Sequence, residues 1–517
     1  MRVLKDTPWE KIEWPLVRKR IFRLQRRIYE ASKIGNKSRL YFLQNLLINS
    51  VDAKLLAVLQ VSSLNQGRKT PGVDKKVATT GDEKLKIVKS LRLNGNAQPI
   101  RRVWIDNRAT TGPKFYRGLT FATQKCAPLE LGRRGKMEKR PLGIPTIRDR
   151  AKQAVAQLAL EPEWEAKFEP NSYGFRPGRG PHDAIESISQ NLCHNKPKWV
   201  YDADIQKCFD TINHEALLSK LNTFPAMKSQ ISSWLKAGVL EGYSHISNKV
   251  EPTIQGTPQG GIISPLLANI ALHGLESHLK NFVKCLPGKP TSTSIRGRTA
   301  RAQALGVVRY ADNFVLTHAN KQILELCVQE TRTYLSQMSL HISEEKSALR
   351  DCREGFSFLG FQILQIKRKG KYSVKVYPTR KNQAELLLKI RSILQQGKSL
   401  SSYDLIDRLS PVIIGWARYY QYCDCSLTFN KLQHLIFQKL RAWVFRRDRR
   451  NGRIFIKEKY FPSNKTYTYF GVTHKSNWIL TGQKIGKNSK SLTNFLPNLS
   501  WIPSQRFVKV SGTSNEP

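Results

Sequence analysis

Apolar residues recur at helical spacing in several parts of the chain. Four of them follow at steps of four, three and four positions, namely Val17, Ile21, Leu24 and Ile28. This spacing puts them on one face and predicts an amphipathic helix over residues 9–35. Similar patterns predict helices at 38–62, 150–168, 320–337, 380–396, 402–422 and 428–447. The last three are expected to form a compact all-helical block.

Two segments have the composition of β-strands instead. Residues 199–205 are rich in aromatic and β-branched side chains, and residues 306–316 have the same character. The second segment is broken at Ala311-Asp312-Asn313, which predicts a β-hairpin with a tight turn. We expect the two segments to be strands of one sheet.

Composition limits the class of protein. The 517 residues suffice for about three or four structural units, and a hydrophobic content of 40% excludes wholesale disorder. The formal net charge is +47, which predicts nucleic acid as the partner. A solubility role or an anionic membrane surface is the alternative explanation. The spread of the charge along a chain rich in aromatic residues disfavours that alternative.

The eight cysteines are irregularly spaced and fit neither a disulfide scaffold nor a zinc site. Cys423 and Cys425 are too close for the usual zinc pair, so we expect reduced thiols and no zinc. The first residues lack the apolar core of a signal peptide, and the longest uncharged stretch, 252–275, contains three prolines. These features predict a cytoplasmic protein, in a bacterium or an organelle, with no membrane partner.

Two aspartates stand at strand ends inside apolar segments, Asp204 and Asp312. Phosphoryl transfer to a growing strand uses two Mg²⁺ ions roughly 3.5–4 Å apart, bound by a few carboxylates and by phosphate oxygens. Aspartates from neighbouring strands, one of them at a hairpin tip, would supply such a pair. Either aspartate alone is also explained by turn chemistry, so the assignment depends on the surrounding motifs.

These aspartates belong to a series of motifs that run in order along residues 9–480. The motifs occupy 65–74, 140–147, 172–179, 202–210, 256–265, 310–313, 358–361 and 415–420. With these motifs the chain resembles the bacterial, cyanobacterial-like group II intron-encoded reverse transcriptases and maturases. The tail 461–517 has no cysteine and one histidine, His474, so the resemblance is to members without an HNH endonuclease domain.

The resemblance implies an α+β fold of the right-hand polymerase type, with fingers and palm, an α-helical thumb called maturase domain X, and a small basic C-terminal region. The implied domains are an N-terminal extension at 1–90, fingers and palm at 91–375, the thumb at 376–450 and a DNA-binding region at 451–517. An insertion at 106–136 lies within the fingers, and the sequence does not indicate its role.

The resemblance also implies a catalytic set of Asp204, Asp312 and Asn313. Two Mg²⁺ ions would be held by Asp204, Asp312 and the carbonyl of Ile205. The residues implied to bind the incoming deoxynucleoside triphosphate are Arg134, Arg140, Phe209, Gln259 and Lys346.

Three of these nucleotide-binding residues need comment. Phe209 lies where the family has a steric gate against the ribose 2′-hydroxyl, and it would equally serve as a core aromatic. Lys346 lies where the family has a lysine that protonates the leaving pyrophosphate, and a solvated surface lysine is an equal alternative. Arg134 aligns with a family lysine beside the 106–136 insertion.

The family's Tyr-Ala-Asp-Asp box ends here in Asn313. The change removes one negative charge beside the metals, and an amide oxygen is a weaker ligand than a carboxylate. Three explanations stay open: a slowed polymerase, an inactive one kept for RNA binding, or a change introduced to trap a complex. The first is slightly favoured.

Basic residues are concentrated in two regions. Residues 361–517 hold 29 Lys and Arg against 7 Asp and Glu, interleaved with aromatics, a pattern typical of nucleic-acid contact. The resemblance assigns intron RNA binding to Arg18, Lys19, Arg20, Arg23, Arg26, Arg27 and Arg418. It assigns target DNA binding to Arg446, Arg447, Arg449, Arg450, Arg453, Lys457 and Lys459.

The predicted function has two parts. As a maturase the protein would bind its intron RNA and assist splicing and reverse splicing into DNA. As an RNA-directed DNA polymerase it would copy RNA by target-primed reverse transcription. The alternatives are an RNA-binding splicing cofactor with an inactive polymerase site, or a domesticated or defence-associated reverse transcriptase.

Overall fold

The computed structural model describes residues 8–106, 139–193, 196–241, 251–253, 255–257, 260–286, 295–448, 450–485, 491–505 and 507. These residues form two compact units. The first contains the described residues up to Asn191 and those of Trp199–Leu349. The second contains the described residues of Leu192–Lys198 and those from Arg350 onward.

Helices make up most of the first unit. They are α1 (Trp14–Ile34), α2 (Lys37–Asn49), α3 (Val51–Leu59), α4 (Gly81–Ser90), α5 (Ile147–Lys167), α6 (Pro181–Leu192), α7 (Cys208–Thr211), α8 (His214–Leu221), α9 (Pro225–Leu235), α10 (Ser264–Leu272), α11 (Leu275–Cys285), α12 (Ile295–Ala304) and α13 (Lys321–Ser336). Short 3₁₀ or π turns lie at Trp9–Lys11, Gln60–Leu64 and Gln66–Lys69.

Helix α1 follows the predicted apolar face. It packs along α5, and three of its four predicted face residues are buried, namely Val17, Ile21 and Ile28. Polar contacts fix the pair, since Gln25 Nε2 donates a hydrogen bond to the carbonyl of Leu158 at 3.0 Å. The basic side of α1 is therefore turned away from this core.

The single helix predicted for 38–62 is wrong, because the chain breaks at Ser50 into α2 and α3. The Ser50 hydroxyl accepts a hydrogen bond from the Ala53 amide at 3.1 Å and so caps α3. In the described residues no single helix is long and apolar enough to cross a membrane. The segments Lys37–Asn49 and Val51–Leu64 meet those criteria only together, bent by 62°.

Two sheets belong to this part of the chain. The strands are β1 (Ile100–Asp106), β2 (Lys139–Ile144), β3 (Ser172–Tyr173), β4 (Trp199–Asp204), β5 (Val239–Glu241), β6 (Gly306–Tyr310), β7 (Asn313–His318) and β8 (Ala348–Asp351). One sheet has the order β2-β1-β5 and the other the order β3-β6-β7-β4-β8. In the larger sheet β7 pairs antiparallel with both β6 and β4, which confirms the predicted strands and hairpin.

The second unit begins with a small sheet and continues with helices. Its elements are β9 (Phe356–Phe358), β10 (Phe361–Arg368), β11 (Lys371–Pro378), α14 (Arg380–Gln396), α15 (Ser402–Tyr420), α16 (Ser426–Arg447), α17 (Arg453–Tyr460), β12 (Thr466–Tyr469), β13 (Val472–Lys475), β14 (Thr481–Ile485) and β15 (Ser491–Phe495), with a 3₁₀ turn at Leu499–Trp501. The helical block is confirmed, because α14 packs on both α15 and α16. The segment after 450 showed no clear periodicity, and its described residues form the helix α17, the hairpins β12–β13 and β14–β15, and the 3₁₀ turn.

Candidate active site

The hairpin β6–β7 carries Asp312 at its tip. Tyr310 pairs with Asn313, so the loop consists of Ala311 and Asp312 alone. Ala311 has φ +55°, the positive value that a type II′ turn has at its first central position. This strained turn projects Asp312 from the end of the sheet.

Strand register brings Asp204 to the same place. Asp204 at the end of β4 pairs with Asn313 of β7, and the Ile205 amide donates to the Asp312 carbonyl at 3.1 Å. The backbone of Asp204 is also held, because its carbonyl accepts from the Ser343 amide at 2.8 Å. The expected proximity of the two aspartates is thus confirmed, while their catalytic roles stay predictions.

A lysine and a neutral amide contact the two carboxylates. Lys346 Nζ lies 2.7 Å from Asp204 Oδ2, and Asn313 Nδ2 donates to Asp312 Oδ1 at 3.0 Å. Burial, and then the charge of Asp204, raise the pKa of Asp312. Burial and the nearby carboxylates likewise raise the pKa of the Cys208 thiol to about 12, so this cysteine stays protonated.

The donor set suits a hard cation. Asp204, Asp312 and Asn313 offer only oxygen ligands, and Mg²⁺ is typically bound by one or two carboxylates with phosphate and water completing the shell. Over the described ranges no group of three or more His, Cys, Asp or Glu could form an all-protein metal cage. The residues therefore fit Mg²⁺ shared with a phosphate substrate.

A buried arginine that the sequence pattern did not predict lies behind the turn. Arg309 of β6 is 3% exposed; its Nη1 donates to Asn269 Oδ1 at 2.9 Å and to the Ala311 carbonyl at 3.0 Å. Its Nη2 donates to Ser172 Oγ at 2.5 Å. None of these acceptors is charged, and burial lowers the pKa of Arg309 to about 10. A lone cation in the apolar strand before the turn was the available signal.

Two glycines of the motif at 256–265 pack closely against the backbone near the site. A Cβ at Gly256 would lie 2.6 Å from the Asp210 carbonyl oxygen, and one at Gly260 would clash with the Gly143 carbonyl oxygen. Both have positive φ, so a side chain is excluded at each. Gly260 thereby contacts β2, the strand that contains Arg140.

Phe209 lies in α7, next to this loop. It is half-buried, its ring centroid lies 6.3 Å from that of Phe175, and its carbonyl accepts from the Thr257 amide at 2.5 Å. Its position fits both the steric gate and the core aromatic. Arg134, Gln259 and residues 107–136 of the insertion lie outside the described residues.

The predicted RNA-binding cations of α1 are all exposed. Two of them have acidic partners: Arg20 lies 2.5 Å from Asp52, and Arg26 lies 3.2 Å from Glu30. Among the residues that the structure describes, no ion pair engages Arg18, Lys19, Arg23 or Arg27. Arg418 is exposed on α15.

The predicted DNA-binding cations divide into two groups. Arg447 donates to backbone carbonyls of the loop that follows α14, Lys457 lies 2.6 Å from Glu458, and Lys459 lies 3.1 Å from Asp448. In the described part of the chain three exposed arginines form no ion pair: Arg446, Arg450 and Arg453. Arg449 lies outside the described residues.

Family models match three consecutive segments of the chain. The N-terminal domain of reverse transcriptase matches residues 9–91, and the reverse transcriptase (RNA-dependent DNA polymerase) matches residues 133–363. The group II intron, maturase-specific domain matches residues 383–461. The second match includes both aspartates of the candidate site.

Individual proteins are similar over long stretches. Protein YkfC of Escherichia coli is 31% identical over 62% of this chain and 81% of its own length. Maturase-like protein 1 of Euglena gracilis is 26% identical over 84% of this chain and 81% of its own. The group II intron-encoded protein LtrA of Lactococcus lactis is 28% identical over 54% of this chain, which spans about half (53%) of LtrA. By its domains and these relatives, the chain belongs to the group II intron-encoded reverse transcriptases and maturases.

Proposed function

We propose that this reverse transcriptase synthesises DNA by two-metal phosphoryl transfer, with Asp204 and Asp312 as the metal ligands. The observation that carries the proposal is the register, in which Asp204 pairs with Asn313 and the Ile205 amide bonds to Asp312. When bound, Mg²⁺ would lower the charge on the transferring phosphate and on the attacking and leaving oxygens.

The chain's own residues would do the positioning. Asn313 fixes one oxygen of Asp312, and the Ile205 carbonyl is a candidate third ligand. Lys346, which reaches Asp204 in this structure, would donate a proton to the leaving pyrophosphate. Phe209 would stand against the ribose 2′-carbon and select deoxynucleotides, while Arg134, Arg140 and Gln259 would bind the triphosphate and base.

The nucleic-acid partners follow from the charge distribution. We assign intron RNA to the exposed cations of α1 and to Arg418, and target DNA to the exposed arginines at the end of α16 and after it, Arg446, Arg450 and Arg453. This gives an N-terminal extension at 1–90, a polymerase at 91–375, a thumb at 376–450 and a DNA-binding region at 451–517. The net charge of residues 361–517 supports it, with 29 basic against 7 acidic residues.

Primer extension on an RNA template tests the polymerase directly. The wild-type protein is expected to extend a labelled DNA primer with Mg²⁺ and dNTPs. Asp204→Ala and Asp312→Ala should each reduce the rate at least about 10³-fold, since each removes a metal ligand. Asp82→Ala is the matched control, because Asp82 is an exposed aspartate of α4 in the same unit. Equal rates for wild type and Asp312→Ala would refute the proposal.

One observation favours a second candidate, a maturase with a silent polymerase site. Asn313 replaces a carboxylate and donates its amide to Asp312, so one metal ligand is weaker. This candidate predicts protein-dependent splicing of the cognate intron together with no extension by wild-type protein. Extension restored by Asn313→Asp alone would support it.

A further inference from the structure

The hairpin β12–β13 has an unusual residue at its tip. Tyr469 pairs with Val472, so the loop is Phe470 and Gly471, with φ +49° and +74°. Two positive φ values define a type I′ turn, whose first position favours asparagine, aspartate or glycine. A bulky side chain at positive φ is a genuine outlier. Phe470 is therefore held in a backbone conformation that disfavours it.

Phe470 is also 58% exposed, although it is a large apolar side chain. A strained and solvated phenylalanine contributes little to the fold, because its ring is not buried in a core. The hairpin has its own support below the tip: Tyr467 is buried, and His474 stacks on Trp501 with ring centroids 4.4 Å apart. Asparagine would close the same turn without strain.

A cation and a second ring lie beside Phe470. The guanidinium carbon of Arg418 lies 5.6 Å from the centroid of the Phe470 ring. The Tyr469 ring lies 4.6 Å away in an edge-to-face arrangement. Arg418 is exposed on α15 and Phe470 is also exposed, so both side chains are accessible to one ligand.

We propose that Phe470 and Arg418 form a stacking site for an unpaired base of RNA. Proteins recognise single-stranded RNA by stacking unpaired bases on aromatic rings or on guanidinium planes, while cations contact the adjacent phosphate. The net positive charge of residues 361–517 complements such a ligand. A duplex presents its bases edge-on and would not offer a face to the hairpin tip.

RNA is the occupant because the chain contains a maturase-specific domain, and Arg418 lies within the matched residues 383–461. The site thus deepens the RNA-binding role of the family and does not depend on the polymerase chemistry proposed above. It assigns one hairpin tip inside residues 451–517 to RNA, while the exposed arginines of the proposed DNA-binding region keep their assignment to DNA.

Photo-crosslinking and affinity measurement on the full chain test the site. The probe is an RNA hairpin with one unpaired 4-thiouridine in a bulge, beside the same hairpin with that base paired. We expect a crosslink at Phe470 with the bulged RNA alone. Phe470→Asn should abolish that crosslink and raise Kd about 5- to 150-fold, the range for one stacked base. No dNTPs are present, so failure of the polymerase would not affect the result.

Stability separates binding from folding. Phe470→Asn relieves the turn strain, so its melting temperature should equal or exceed that of wild type while its RNA affinity falls. Phe470→Trp should keep the affinity, and Phe470→Leu should lose it, since leucine has no π face. Leu427→Asn is the matched control, because Leu427 is an exposed apolar residue (84%) of α16.

Three results would overturn the proposal. They are unchanged RNA affinity of Phe470→Asn, equal affinity of the Leu and Trp variants, and a stronger crosslink to a DNA hairpin bearing an unpaired 4-thiothymidine. The last result would assign the tip to DNA. If Phe470→Asn lowers the melting temperature, the comparison of Phe470→Leu with Phe470→Trp decides.

Discussion

The buried Arg309 provides the sharpest test of how the turn that carries Asp312 is held. Arg309→Met keeps the volume and removes the guanidinium that donates to Asn269, Ala311 and Ser172. Burial lowers the pKa of Arg309 from 12.5 to about 10, so the buried charge costs about 3 kcal/mol. Three hydrogen bonds from a charged donor offset this by about 6 kcal/mol. We expect Arg309→Met to lose about 3 kcal/mol of stability and to remain folded at 25 °C.

Activity should fall further than this loss of stability explains. The Arg309 guanidinium holds the carbonyl of Ala311, whose strained φ of +55° orients the next residue, Asp312. Without that bond the turn can relax, and the two carboxylates lose their fixed separation. Small errors in the geometry of catalytic groups reduce rates about 10²-fold. We expect a similar loss in primer extension, together with a higher Mg²⁺ requirement.

Urea unfolding and a Mg²⁺ titration of primer extension measure the two effects separately. Arg309→Lys should be intermediate, since one ammonium cannot reach all three acceptors. Arg150→Met is the matched control, because Arg150 is also buried and its donors reach neutral acceptors, the carbonyls of Gly67 and Thr70. It should lose stability without changing the Mg²⁺ requirement. A wild-type Mg²⁺ profile for Arg309→Met would refute the positioning role.

Three more predictions address charge. Asn313→Asp should raise the extension rate and lower the Mg²⁺ concentration for half-maximal rate, because a carboxylate binds Mg²⁺ better than an amide; an unchanged titration would contradict this. Asp312→Asn should stabilise the metal-free protein at pH 7. The raised pKa of Asp312 means that its stability contribution is full below its unfolded pKa of ~3.9 and is lost as the pH rises through the folded value. The difference in urea midpoint between the two proteins should therefore vanish in acid, and a constant difference would argue against burial as the cause. Replacing Arg446, Arg450 and Arg453 by glutamine should lower the slope of log affinity against log salt on duplex DNA by about 0.9 for each phosphate that the variant no longer neutralises. An unchanged slope would exclude them from the interface.

The spacing of apolar residues predicted those parts of the fold that depend on residues close together in the sequence. Neighbouring residues in the sequence predicted the apolar face of α1 and the turn between β6 and β7, and the structure confirms both. The adjacency of Asp204 and Asp312 followed because two apolar strands with aspartates at their ends have few ways to pair. The break at Ser50 was missed because helical apolar spacing continues on both sides of it.

Contacts between residues far apart in the chain could not be predicted from the sequence. Arg309 bonds to Ser172, 137 residues earlier, and to Asn269, 40 residues earlier, and no spacing rule links such partners. The positive φ of Phe470 was likewise hidden, because a Phe-Gly pair indicates a turn without indicating its type. In each case the informative signal was a residue that disagrees with its local setting: a cation in an apolar strand, and a large ring at a tight turn.

If Asp204 and Asp312 hold the metals as proposed, Asn313 would weaken metal binding and give a better-ordered metal-free site. It faces Asp204 across the sheet and follows Asp312, so a carboxylate here would be a third negative charge beside two that already interact. Burial and Asp204 raise the pKa of Asp312, and the hydrogen bond from Asn313 opposes that rise by stabilising the ionised form. Lys346 contacts Asp204 directly, with its Nζ 2.7 Å from Oδ2. Both carboxylates are therefore held by protein contacts without the help of a cation. A weaker ligand set would then bind its metals mainly together with the triphosphate, whose oxygens supply the donors that the protein lacks.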